Sequence, residues 1–243
     1  MNRTVVAIVQ ARMGSTRLPG KVLRPLAGCS LIAHMARRLS SSRRLSGIVI
    51  ATTVDQRDDA IEREAAHLGL DCFRGSEQDV LGRYVGAAAR TDAAVIVRVT
   101  ADCPLIDAEV VDRIVDGIAV TGCDYASNTI HRTYPRGLDA EAVTRSALER
   151  LHAAAQPGPA REHVTWLVHQ QPGAFTRLSI EDTGDNSDLR WTVDTEADWR
   201  LVERLAEELD LGRRTPPYRE ILAHVRARPE LTRLNAHVQQ KRV

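Results

Sequence analysis

Apolar runs at residues 4–9, 47–52 and 93–100, with a shorter one at 72–73, alternate with segments of helical spacing at 30–39, 59–68 and 79–89. Runs that are apolar on both faces belong to strands buried in a parallel sheet, and parallel strands need helix-length crossovers to join them. Strand–helix–strand–helix–strand–helix–strand therefore predicts an α/β fold, a doubly wound and mostly parallel sheet with right-handed connections. Ligands of such sheets settle at the carboxyl ends of the strands, so function is expected in the loops that follow them.

The first of these loops reads Gln-Ala-Arg-Met-Gly-Ser-Thr-Arg-Leu-Pro-Gly-Lys-Val-Leu over residues 10–23. Gly14, Ser15, Pro19 and Gly20 exclude regular structure, and three cations, Arg12, Arg17 and Lys21, stand among these small residues. Small residues let the backbone approach a ligand, and exposed N–H groups beside fixed cations suit a phosphate chain. A solvated basic turn would have a similar composition. The loop is not a P-loop, since Val22 follows Lys21, and Gly14 and Gly20 lack the dinucleotide spacing.

The run 93–100 ends in Thr-Ala-Asp102-Cys-Pro-Leu. A carboxylate at a strand tip, stopped at once by Pro104, is poorly placed to cap a helix and well placed to meet a ligand. Asp107 is different: it precedes a helix over 108–120 and reads as its N-cap. Beyond residue 122 the pattern changes. Strand-like 125–128 leads through 133–143 into a helix over 145–155, and after Pro157-Gly158-Pro159 a second helix spans 161–171. Residues 189–194 alternate Leu189, Trp191 and Val193 as on a strand, with Asp194 at its end and a helix over 195–209 beyond. Asp194 or Thr195 would also serve as that helix's N-cap, with Asp198 in its first turn. The remainder predicts one amphipathic helix over 218–225 and a basic tail whose Lys241-Arg242 end frays.

Three strings together, Gln-Ala-Arg-x-Gly-Ser-Thr-Arg-Leu-Pro-Gly-Lys at 10–21, Asp-x-Pro-Leu at 102–105 and Val-Asp-Thr-x-x-Asp at 193–198, resemble the cytidylyltransferases that make CMP-activated acidic sugars such as 3-deoxy-manno-octulosonate. The hexose-1-phosphate branch of that superfamily shows a Gly-Gly-rich first loop instead. Pro-Arg-Gly-Leu-Asp-x-Glu at 135–141 and Arg-Glu-His-Val at 161–164 are similar to the group called spore coat polysaccharide biosynthesis protein F.

The resemblance implies a nucleotide-diphospho-sugar transferase (GT-A/Rossmann-like) fold over 1–243. Residues 1–121 would form the nucleotide-binding half and 122–180 an inserted substrate-covering and dimerisation region. Residues 181–243 would form a return strand with a second metal carboxylate and the last helices. It implies Mg²⁺-dependent transfer of CMP from CTP to an acidic sugar, with release of pyrophosphate, for polysaccharide or glycoconjugate biosynthesis, by a homodimer. Asp102 and Asp194 would hold the Mg²⁺, while Arg12, Arg17 and Lys21 with the Gly14 and Ser15 backbone would hold the β- and γ-phosphates. Arg12, Lys21, Asp102 and Asp194 form the catalytic set. Cytosine would sit near Ala11 and Thr52, with Arg74 and Gly75 lining the same pocket. Asn128, Arg136, Asp139, Glu141, Arg161, Glu162 and His163 are the candidates for the sugar side, although an ion pair and a packed imidazole would account equally for residues 161–163. A glycosyltransferase on the same sheet is the alternative, but its usual Asp-x-Asp reads here Asp102-Cys-Pro. A catalytically inactive nucleotide-sugar-binding protein is disfavoured by the intact charged positions.

Composition narrows the partners. Lysine and arginine total 33 against 32 acidic residues, so no nucleic-acid tract or membrane-surface patch is expected. No run approaches a membrane span and the first residues lack a signal-peptide pattern, which predicts a cytoplasmic protein. Cys29, Cys72, Cys103 and Cys123 are too scattered for a zinc site and read as reduced, packed thiols.

Overall fold

The computed structural model describes residues 4–171 and 173–240. Strand β1 (Val5–Gln10) is followed by the cationic loop and a single 3₁₀ turn, Lys21–Leu23. A two-residue hairpin, β2 (Pro25–Leu26) and β3 (Cys29–Ser30), turns through Ala27 and Gly28, both at positive φ, and leads into α1 (Leu31–Leu39). Then follow β4 (Gly47–Thr53), α2 (Asp59–His67), β5 (Asp71–Gly75), α3 (Val80–Ala89), β6 (Val95–Thr100) and α4 (Ala108–Thr121). Ser30, Asp79 and Asp107 side chains cap α1, α3 and α4, each accepting a first-turn amide.

The rest of the chain comprises β7 (Tyr125–Ser127), β8 (Glu141–Thr144), α5 (Arg145–Ala154), α6 (Pro159–Glu162), α7 (Trp166–Gln170), β9 (Arg177–Ser179), α8 (Glu196–Glu208), α9 (Tyr218–Arg226) and α10 (Pro229–Arg233). The sheet order is β5-β4-β1-β6-β8-β7-β9. All neighbours are parallel except around β8, which runs antiparallel to both β6 and β7. From β1 the chain moves outward through β4 and β5, then returns to lay β6 on the other side of β1. Their carboxyl ends therefore lie side by side at Gln10 and Thr100, which are register partners, with the connections from β1 and β6 leading to opposite sides of the sheet order. That reversal is where an α/β sheet opens a crevice.

Alternate residues of the central strands feed two cores. Ala7, Val9, Val97 and Val99 join α1, α4 and α8 on one face, and Val6, Ile8 and Ile96 join α3, α5 and α7 on the other. All four cysteines are free thiols. Among the described residues no helix is long and apolar enough to cross a membrane.

Four local expectations are corrected. Residues 141–144 are a strand, not the run-in to a helix, and 177–179 form a further one, so the region 122–180 supplies three strands of the sheet itself. Residues 189–194 are not a return strand. They are extended, but their partners are loops: the Trp191 N–H donates to the Arg136 carbonyl at 2.6 Å and the Val193 N–H to the Asp102 carbonyl at 2.8 Å, leaving only an isolated bridge between Arg136 and Arg190. The helix expected over 161–171 is two short ones, broken at 163–165. The carboxyl-terminal part holds two helices where one was expected, and the frayed end expected at Lys241 and Arg242 lies outside the described residues.

Candidate active site

The first loop is tied down before it can bind anything. Buried Leu18 and Val22 anchor it to the core, and the Met13 carbonyl accepts the N–H groups of Ser15 and Gly20. Gly20 turns at φ 70°, which delivers Lys21 to the start of its 3₁₀ turn. From outside, buried Asp58 accepts the Met13 N–H at 2.7 Å on one oxygen and the Thr53 N–H and hydroxyl on the other. One carboxylate thus locks the loop to the end of β4. Replacing Asp58 with alanine orphans three donors, two of them buried, and we expect a loss of about 2–3 kcal/mol. A thermal melt reads this as a fall of roughly 5–10 °C; an unchanged melting temperature would mean the lock is dispensable.

Lys21 gathers the site. Its Nζ donates to Asp102 Oδ2 at 3.0 Å, to Asp194 Oδ1 at 2.9 Å and to the Val193 carbonyl at 2.6 Å. Burial alone would lower the ammonium's pKa, but the two carboxylates outweigh it and hold the group above its usual range. Asp194 also meets Arg17 at 3.1 Å and Arg190 at 2.8 Å. Its burial pushes the carboxyl up, yet Lys21, Arg17 and Arg190 together pull it below the ordinary range. The second Asp102 oxygen accepts the Thr100 hydroxyl at 2.6 Å.

Asp194 is free to face Lys21 because it does not cap α8. Thr195 does so, in a capping box with Asp198. Asp198 is fully buried and accepts Arg190 Nε at 2.9 Å, the Asp194 and Thr195 N–H groups and the Asn235 amide. Arg190 completes its fork by donating to Gln240 at 2.5 Å. The segment after α10 therefore braces the Asp194 carboxylate through one guanidinium.

These groups line a cavity of about 300 Å³ that includes Ala11, Arg12, Ser15, Arg17, Lys21, Asp102, Asp194 and Glu162. A second cavity, of about 470 Å³, holds Asp139, Glu141 and His163, and Thr100 lines both. In the second, Arg132 grips Asp139 through two bonds at 2.6 and 2.8 Å, and Arg98 pairs with Glu141. Glu141 is buried, which would raise its pKa, but Arg98 and hydrogen bonds from Thr165 and Tyr125 keep it lowered.

Other expected residues are placed elsewhere. Asn128 spends its amide on the Leu138 carbonyl and the Ala140 N–H, fixing the approach to β8. Arg161 binds His152 and approaches Asp79 at 3.6 Å. Arg74 pairs with Asp59 and Glu62 and with the Thr53 and Asp55 carbonyls, so it clamps the turn between β4 and α2. Thr52 is buried, Gly14 lies beside the Glu77 carboxylate that pairs with Arg12, and Gly75 leaves room for the buried Arg83 stem. Arg136 faces a third cavity beside Ser187 and Leu189. Sequence reading missed Asp58, Arg190 and Asn235, and placed Asp198 in the first turn of α8 without seeing that it anchors Arg190.

A parallel sheet with a cationic first loop and two carboxylates converging at its switch point defines an enzyme of the nucleotidyltransferase class. The comparisons specify which. The chain belongs to the cytidylyltransferase family, whose model matches residues 6–211. The spore coat polysaccharide biosynthesis protein SpsF of Bacillus subtilis is 33% identical over 211 residues, 84% of this chain and 87% of that protein. A cytidylyltransferase from Leptospira borgpetersenii serovar Hardjo-bovis matches with a TM-score of 0.90 and 31% identity, covering 99% of this chain and 100% of that one. CMP:2-keto-3-deoxy-manno-octonic acid synthetase, solved with CTP, shares the fold at a TM-score of 0.64 and 19% identity, over 85% of this chain and 99% of its own.

Proposed function

We propose that this enzyme transfers CMP from CTP to the hydroxyl of an acidic sugar and releases pyrophosphate, with Mg²⁺ as cofactor. The observation that carries the reading is the single Lys21 ammonium shared by Asp102 and Asp194, directly beside the Arg12–Arg17 loop. The donor set fits the cation. Mg²⁺ typically takes one or two carboxylates and fills its shell with phosphate oxygens and water, and here two carboxylates converge on one point. Asp102 and Asp194 would hold it, and when bound it supplies charge neutralisation to the phosphate oxygens. Arg12, Arg17 and Lys21 would bind the β- and γ-phosphates and stabilise the departing pyrophosphate, while the Ser15 N–H is spent inside the loop on the Met13 carbonyl. No covalent nucleophile is needed, because transfer of this kind rests on positioning and charge.

Arg136 faces a third cavity that meets the second at Gln240, and from there it supports an acidic acceptor. Half-buried on the loop before β8, it has no hydrogen-bond or ion-pair partner for its guanidinium among the described residues. Burial, followed by the neighbouring Arg132 and Arg190, lowers its pKa although Asp139 opposes them. Such a cation gains by meeting a carboxylate from a ligand. Arg136→Met should raise KM for an acidic acceptor by about 10- to 100-fold while leaving KM for CTP within about twofold.

The test of the whole reading is pyrophosphate release from each of the four nucleoside triphosphates with acidic and neutral sugars, with and without Mg²⁺. CTP with an acidic sugar should give the signal. Release with neutral sugars alone would remove the acceptor class, and transfer from a nucleotide-sugar instead would make the enzyme a glycosyltransferase.

A further inference from the structure

A hydroxyl that attacks an α-phosphorus must lose its proton, and the group that takes it has to stand where nucleotide and acceptor meet. In this fold that place is defined. The cavity proposed for the phosphates adjoins at Thr100 the second cavity, which holds the candidate acceptor residues Asp139, Glu141 and His163, and two consecutive residues divide between them: Glu162 lines the first and His163 the second. They diverge because α6 ends at Glu162 and His163 is already extended, at φ −110° and ψ 92°.

The segment is held firmly. Pro159 opens the helix, Ala160 is buried, and the His163 N–H closes on the Pro159 carbonyl at 2.8 Å. Arg161 is fastened to His152, and Thr165 donates to Glu141 at 2.5 Å. Glu162 therefore sits on a fixed mount although it is the one residue of the phosphate cavity contributed by the region 122–180.

Its chemistry differs from that of the other two carboxylates there. Asp102 is held by Lys21 and Thr100, and Asp194 by Lys21, Arg17 and Arg190, so both are fixed in place by protein donors. Among the described residues Glu162 has neither an ion pair nor a side-chain hydrogen bond.

We infer that Glu162 is the general base of the transfer, an assignment that rests on the function proposed above. The acceptor hydroxyl gives its proton to a Glu162 carboxylate oxygen as its oxygen lone pair forms the bond to the α-phosphorus. The bond from the α-phosphorus to the α–β bridging oxygen breaks, and pyrophosphate leaves with that electron pair, held by Arg12 and Arg17. Glu162 then returns its proton to water. The charged and titratable groups around it are Arg12, Arg17, Lys21, Asp102 and Asp194 across the cavity, with Arg161 and His163 on its own segment.

The test compares Glu162→Gln, Glu162→Asp and His163→Asn with the wild-type enzyme, using CTP and the acceptor that turns over fastest. For Glu162→Gln we expect kcat to fall by about 10²- to 10³-fold, with the acid limb of the kcat–pH profile replaced by a steady rise toward alkaline pH. Calorimetric affinity for Mg²⁺·CTP should stay within about twofold, and Glu162→Asp should recover part of the rate. His163→Asn should raise KM for the acceptor and keep the acid limb. The inference is overturned if Glu162→Gln keeps kcat within about threefold, if it loses CTP affinity, or if the limb vanishes in His163→Asn instead. A wild-type enzyme that releases no pyrophosphate with any acceptor removes the proposed function and the base with it, whereas an active wild type beside an equally active Glu162→Gln removes the base alone.

Discussion

Alanine at Asp194 is expected to lower kcat/KM by about 10³-fold or more, the scale set by losing a preorganised charge at a transferring phosphate. The substitution removes one of two carboxylates proposed for Mg²⁺ and leaves Lys21, Arg17 and Arg190 facing one another with less anion between them. Lys21 keeps Asp102 and Arg190 keeps Asp198, so the fold should persist. The effect on stability has a definite sign. The Asp194 carboxyl lies below its ordinary range in the folded protein, so it stabilises above the unfolded value of about 4, and that contribution fades as pH falls through the lowered one. Asp194→Ala should therefore be less stable than wild type in urea at neutral pH, with the gap closing in acid. A variant that retained more than about a tenth of wild-type kcat/KM would rule out a metal-holding role.

Alanine at Gly137 should damage the protein by a different route. Gly137 sits at φ +103°, where a side chain is strained, and a Cβ there would lie 2.5 Å from both the Trp191 carbonyl carbon and the Thr192 nitrogen. Those are backbone atoms of the segment that ends in Asp194, so no rotamer relieves the contact. We expect a loss of about 3 kcal/mol or more from strain and overpacking together, together with lost activity as the 191–194 segment is pushed from Lys21. Denaturant melts would read the first effect. A Gly137→Ala protein with wild-type stability would show that the two loops separate freely.

The strong signals in the sequence were local ones. The β-branched runs of β1, β4 and β6, and the Gly/Pro-rich loop after β1, state their conformation within a few residues. What depended on distant partners was harder to read. Glu141-Ala-Val-Thr144 is four residues long and merges into α5; it is a strand because β6 and β7 flank it. The alternation of Leu189, Trp191 and Val193 is genuine burial, but the side chains enter the main core from a segment that forms only an isolated bridge and no strand. The convergence of Asp102 and Asp194 followed from a resemblance, and the sheet supplies its physical cause. Asp58 reaches Met13 across 45 positions and Asn235 reaches Arg190 across 45, while Arg190 meets Asp194 and Asp198 within eight but is tied to Gln240 from 50 away.

The bond from Lys21 to Asp194 joins positions 173 apart, and Asn235 closes on Arg190 from 45 residues further along. A growing polypeptide could thus build β1, its loop and most of the parallel sheet while remaining chemically silent. Loop closures of this length are slow steps in folding, because their entropy must be lost before the contact forms. The competence to turn over nucleotide should appear late in synthesis, in one cooperative step, well after the nucleotide-binding half has taken shape.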